Sequence, residues 1–216
     1  MAYAYTVGTL LIEDTFTRSG ALGSTESGSL GALAWQGNTS KLVCNGTEAL
    51  AATPNNGVGV YGGVYVDIPA GLSVRVAAES TLDAFDSFAN TYLGVTARGD
   101  GSARASTNNI REVSTGYRPR LTTPGLVANG VSAPAIGTRP SVTVFLDVLG
   151  NEWYGGRLGG ATFGPYVDPV NRTATRVGMN WSLNDSRDTA RFLSFRVWEL
   201  VPVAPPVLTH TGGMSS

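Results

Sequence analysis

Apolar and polar residues alternate in steps of two along most of this chain, a period that belongs to strands rather than helices. LSVRVAAE (72–79) sets Leu72, Val74 and Val76 on one face against Ser73 and Arg75 on the other. In RFLSFRVWEL (191–200), Leu193, Phe195 and Val197 alternate with Ser194, Arg196 and Trp198. Other runs also read as strands: VYGGVYVDI (60–68), TYLGVTAR (91–98), SARASTNNIREV (102–113), SVTVFLDVL (141–149), NEWYGGRL (151–158) and TATRVGMNW (173–181). No stretch sustains a helical period beyond about two turns, and STLDAFDSFAN (80–90) comes nearest.

Turn residues separate these runs. Asn45-Gly46 predicts a two-residue hairpin, because both central positions of that turn need positive φ. Gly150-Asn151 predicts another, which sets Asp147 opposite Tyr154 and not opposite Glu152. About ten strands punctuated in this way predict a sandwich or barrel. Residues 1–13 read as an extended arm or first strand, and one β-sandwich domain is expected over 14–201. Pro202, Pro205 and Pro206 end sheet pairing, since proline has no ladder N–H, and 202–216 form an extended proline-rich tail.

Composition narrows the function classes. The 216 residues can bury a sizeable core. Only 14% are charged and 28 are glycine, which suits short strands and tight turns. A net charge of −1 supplies no field for nucleic acid or an anionic membrane, and neither is expected as a partner. Cys44 stands alone, so no intrachain disulfide forms. No apolar run reaches the length of a membrane span, and the N-terminus lacks the pattern of a secretory signal. A product made soluble in the cytoplasm is expected.

Three passages carry a family resemblance. Asp14-Thr15-Phe16-Thr17-Arg18 followed by Ala21-Leu22-Gly23 resembles the D-x-F-x-R…LG opening of many sandwich domains in bacteriophage structural proteins. VTVFLDVLGNEWYGGRLGG is similar to their central hairpin, and Phe192 to Glu199 to their returning final strand. Over about residues 14–200 the chain resembles the concanavalin A-like (laminin G-like) jelly roll. The resemblance implies an all-β, two-sheet antiparallel sandwich. It also implies a virion structural protein, in which form the fold serves as capsid decoration, head fibre or tail component.

The groups that could carry chemistry are few. Hydrolytic members of this fold carry an E-x-D-x-E strand, whose paired carboxylates serve as acid and as nucleophile or base. The sequence has none. His210, the single histidine, lies in the tail, and Cys44 reads as a buried, inert thiol. Gly57 to Gly62 spells G-x-G-x-x-G, but a strand and not a helix follows it. Arg98-Gly99-Asp100 reads as turn chemistry. No catalytic residue, cofactor site or enzyme activity is therefore expected. Asn184, Asp185 and Asp188 are the candidate calcium ligands, with a capped polar turn as the simpler reading. Trp153 and Tyr154 adjoin on one strand, so one of them faces outward as a candidate glycan contact.

The expected function is a non-enzymatic virion protein attached to capsid or tail subunits through its termini, with Pro205 and Pro206 as candidate contacts. A trimer is expected by analogy only. The alternative is a carbohydrate-binding module that recognises a host surface glycan, and a divergent glycosidase is the third reading.

Overall fold

The computed structural model of the protein describes residues 5–51, 60–84, 92–99, 111–114, 120–123, 126–129, 137–138, 141–150, 152–159, 162–167, 175–183 and 187–203. The first nine strands are β1 (Tyr5–Asp14), β2 (Ser19–Ala21), β3 (Gln36–Gly37), β4 (Leu42–Asn45), β5 (Ala49–Ala51), β6 (Val60–Asp67), β7 (Val74–Ala84), β8 (Tyr92–Gly99) and β9 (Arg111–Ser114). The rest are β10 (Arg120–Thr123), β11 (Leu126–Asn129), β12 (Gly137–Thr138), β13 (Val142–Leu149), β14 (Glu152–Arg157), β15 (Thr162–Val167), β16 (Arg176–Leu183) and β17 (Thr189–Pro202).

They form the two-sheet antiparallel sandwich that the alternation predicts. The larger sheet is ten-stranded in the order β15-β14-β13-β7-β17-β5-β4-β2, with β1 added on β17 and β12 on β7. The smaller is five-stranded in the order β3-β6-β16-β8-β9, and β10 and β11 pair as a separate ribbon. Between the sheets, Val76, Ala78, Leu146, Phe195 and Val197 meet Val64, Val95, Met179 and Trp181 in one buried cluster. Each large side chain in it contributes about 1.5–3 kcal/mol by leaving water. The rings interlock edge to face, Trp35 on Phe195 at 5.1 Å and Trp181 on Phe192 at 6.2 Å.

The segment read as an arm or first strand is β1, which pairs along β17 from Tyr5 opposite Pro202 to Asp14 opposite Phe195. Where β1 ends, the D-x-F-x-R motif makes a clasp. Asp14 is fully buried and accepts hydrogen bonds from the Phe16 N–H, the Trp35 indole and Arg18, the last bidentate at 2.9 and 2.7 Å. Arg18 Nε also donates to the Leu22 carbonyl. Phe16 holds a left-handed backbone, φ +57°, costly for a bulky residue. Its buried ring and the Asp14 hydrogen bond hold it there.

Several details differ from expectation. Pro202, read as ending sheet pairing, is the last residue of β17 and stands opposite Tyr5, and the β10–β11 ribbon was not foreseen. The first hairpin turns on Gly46 and Thr47, one residue later than predicted, because Asn45 pairs with Glu48. The Asn45 side chain drives the shift by accepting the N–H groups of Thr47 and Glu48. In β17 the ladder shifts register between Phe192 and Ser194, so Phe192 is buried and Leu193 is only half-buried. Strand β15 was not foreseen, since Gly164 and Pro165 interrupt its pattern; at a sheet edge proline costs no ladder bond.

Candidate functional site

Alternation along the smaller sheet sends Val177, Met179, Trp181 and Leu183 of β16 into the core and leaves Arg176, Gly178, Asn180 and Ser182 on the outer face. The ladders then build two outer rows. One runs Gln36, Tyr65, Gly178, Thr96, with Glu112 opposite Thr96 at the next register position. The other runs Gly63, Asn180, Gly94, with Ser114 opposite Gly94.

A polar cluster closes one end of this face. The Asp67 carboxylate accepts from Gln36 Nε2 and Thr175 Oγ1, both at 3.1 Å, and forms an ion pair with Arg176 Nε at 3.3 Å. The Arg176 guanidinium lies 4.5 Å from the centre of the Tyr65 ring, a contact that contributes about 0.5–1 kcal/mol. Gly37 permits that ring position, since a Cβ there would sit 3.2 Å from Tyr65 Cε1. Asp67 stays 44% exposed, so the cluster presents a carboxylate, an amide and a guanidinium at the surface.

Asn180 occupies the middle. Glycines flank it on both neighbouring strands, and its Nδ2 donates to Thr96 Oγ1 at 2.7 Å. The residue is only 4% exposed, yet its Oδ1 has no hydrogen-bond partner. An unpaired buried group of this kind costs about 1–3 kcal/mol.

The larger sheet's outer face is built differently. Trp198, Arg75, Asp147 and Tyr154 stand in one cross-strand row, with Asp147 opposite Tyr154 as predicted. Arg75 donates twice to the fully buried Asp147, both at 2.7 Å, and stacks 4.7 Å from the Phe145 ring centre. These charges are turned on each other.

The residues singled out in the sequence are scattered. Tyr154 is half-buried on the larger sheet, and its hydroxyl donates to Glu152 at 3.1 Å. Burial pushes that phenol up, and the Glu152 charge adds to the effect. Trp153 occupies the register position opposite Val148. Asp188 is fully buried, while Asn184, Asp185, Pro205, Pro206 and His210 lie outside the described residues. Among the described residues no three acidic, His or Cys groups gather as a metal site. Cys44 is buried, and burial raises its pKa. Asn180, Thr96, Asp67 and Arg176 were not foreseen as a site. The available signal was Gly178 and Asn180, both poor strand formers, inside an otherwise strong strand.

No family model and no curated protein matches this sequence. Solved structures do. The VIP36 exoplasmic/lumenal domain in a Ca²⁺/Man3GlcNAc-bound form aligns at 9% identity and TM-score 0.54, over 80% of this chain and 85% of that one. A structure described for endo-acting O-glycanases of human gut microbiota, which initiate mucin breakdown, aligns at 12% and 0.58, over 88% and 98%. A β-glucanase of Bacillus licheniformis aligns at 10% and 0.53, over 89% and 99%. The expectation that the chain is not an enzyme is overturned here, because glucanases carry this sandwich over most of both chains. An E-x-D-x-E pattern lies on one strand only, and a fold can also bring carboxylates together from several strands. At these identities the likeness is one of fold, and by fold the chain is a two-sheet antiparallel jelly-roll sandwich.

Proposed function

We propose that this chain is a carbohydrate-binding protein that receives a glycan on the outer face of its five-stranded sheet. The observation that carries the reading is the Asp67, Arg176 and Tyr65 cluster beside the glycine-flanked Asn180. Planar hydrogen-bonding groups hold one another in place there, next to strand positions without side chains. A sugar ring offers hydroxyls around its rim and flat C–H faces, and such a ligand is bound by a few fixed polar groups. Interior strand glycines commonly mark close approach of a ligand or another backbone. The lectin and glucanase structures sharing the fold support glycan recognition over virion assembly.

A host surface glycan is the proposed target. A virion surface is one setting for such a reader, and immunolabelling of purified particles tests it. The reading itself is tested on a glycan array followed by calorimetry. Saturable binding weakened at least about tenfold by Arg176→Ala or Asp67→Ala is the expected result. Silence across the array would remove the proposal. Release of reducing ends from a bound polysaccharide would make the protein a glycosidase.

A further inference from the structure

The Asn180 and Thr96 side chains leave two hydrogen-bonding capacities side by side. Thr96 Oγ1 accepts from Asn180 Nδ2, which leaves the Thr96 O–H as a donor. Asn180 Oδ1 is an acceptor without a partner, on a residue only 4% exposed. Met179 and Trp181 point into the core, so Asn180 points to the outer face. Gly63 and Gly94 stand beside it in the ladder, so no side chain on either strand is placed directly opposite to satisfy it.

We infer that Asn180 and Thr96 are specificity-determining residues that together read a hydroxyl of a neutral sugar. A hydroxyl both donates and accepts, so it answers the Asn180 oxygen and the Thr96 O–H at once. A carboxylate only accepts. It leaves Asn180 Oδ1 unanswered and sets oxygen against oxygen, so uronic and sialic acids are disfavoured at this position. The Asp67 carboxylate at the end of the same face acts in the same direction. A site built to bond a hydroxyl rejects the ligand that lacks it far more strongly than an apolar pocket rejects a size change.

This inference rests on the glycan reading, and the experiment separates the two. Calorimetry measures wild type, Asn180→Leu and Thr96→Val against the neutral glycan found on the array and against its monodeoxy analogues. Both substitutions keep roughly the shape and remove the polar groups. Each is expected to weaken the parent glycan at least about tenfold. One deoxy analogue should lose as much on wild type, yet bind the two variants as the parent does. Thr96→Val is nearly isosteric and carries the test by itself if Asn180→Leu does not fold. Wild-type binding that both variants leave within twofold overturns the assignment while the glycan reading stands. Tighter binding of acidic than of neutral glycans overturns it too. No glycan binding by wild type overturns both.

Discussion

The Trp35 indole N–H donates to Asp14 Oδ2 at 2.7 Å across 21 positions of sequence. It joins the end of β1 to a ring packed on Phe195 of β17, so one hydrogen bond ties the N-terminal motif to the core. Removing the carboxylate would strand the indole and leave the Arg18 guanidinium with only the Leu22 carbonyl and Glu26. Asp14→Ala is expected to cost about 3 kcal/mol, and Trp35→Phe, which keeps a ring but loses the donor, about 1 kcal/mol. Urea unfolding of the two variants checks this. Wild-type stability in Asp14→Ala would mean that the clasp contributes nothing.

Acid should loosen the same region. Burial raises the Glu26 pKa, but the N–H and O–H donors of Thr15 and Thr17 outweigh it and hold the carboxyl at about 2, below its ordinary 4.5. Glu13 is also held low, by its hydrogen bond from Arg196. A depressed folded-state pKa gives stability that is present above about pH 4.5 and lost as pH falls through about 2. The melting temperature should therefore drop over that window, and less steeply in Glu26→Gln. Calorimetric scans at stepped pH decide the matter, and identical slopes would detach Glu26 from acid stability.

The two outer faces should separate in mutational tests. Arg176→Ala is expected to weaken glycan binding with little loss of stability, because Arg176 and Asp67 are both partly exposed. Asp147→Ala should do the reverse. It leaves Arg75 without its bidentate partner, at a cost of about 2–4 kcal/mol, while folded protein at low temperature binds glycan as before. Tyr154→Ala gives the opposite signal if a glycan sits on the larger sheet. Affinity and melting temperature measured on all three variants assign the face.

Gly178 is required by space. A Cβ there would lie 1.9 Å from the Val64 carbonyl oxygen and 2.8 Å from Tyr65 Cα, and neither backbone atom can yield cheaply. Gly178→Ala is expected to lower stability by about 1–3 kcal/mol, through the separation of β6 from β16. A thermal melt checks it, and an unchanged midpoint would show that the strands adjust.

Much of the fold was legible because its information is local. Val74 and Val76 face the core and Arg75 does not, as the period-two pattern requires. Gly150 at φ +56° turns the chain where expected, and that register alone sets Asp147 opposite Tyr154. The Asn45 turn slipped because a side chain captured backbone N–H groups, a competition that the Asn-Gly pair does not reveal. Leu193 slipped because a register shift breaks alternation without leaving a mark in hydrophobicity.

The candidate site was less legible. Alternation says which residues of a strand turn outward once one of them is known to face the core. It cannot say which outward residues from different strands meet. Thr96, Asn180 and Gly63 lie on three strands far apart in sequence, and only the ladder order β6-β16-β8 sets them side by side. By itself the sequence determined an all-β sandwich and the inside and outside of most strands, because those follow from the backbone's period of two. Tertiary structure decided which polar groups are buried, which of them are paired and which oxygen is left waiting, because hydrogen-bond satisfaction depends on neighbours that chain order does not supply.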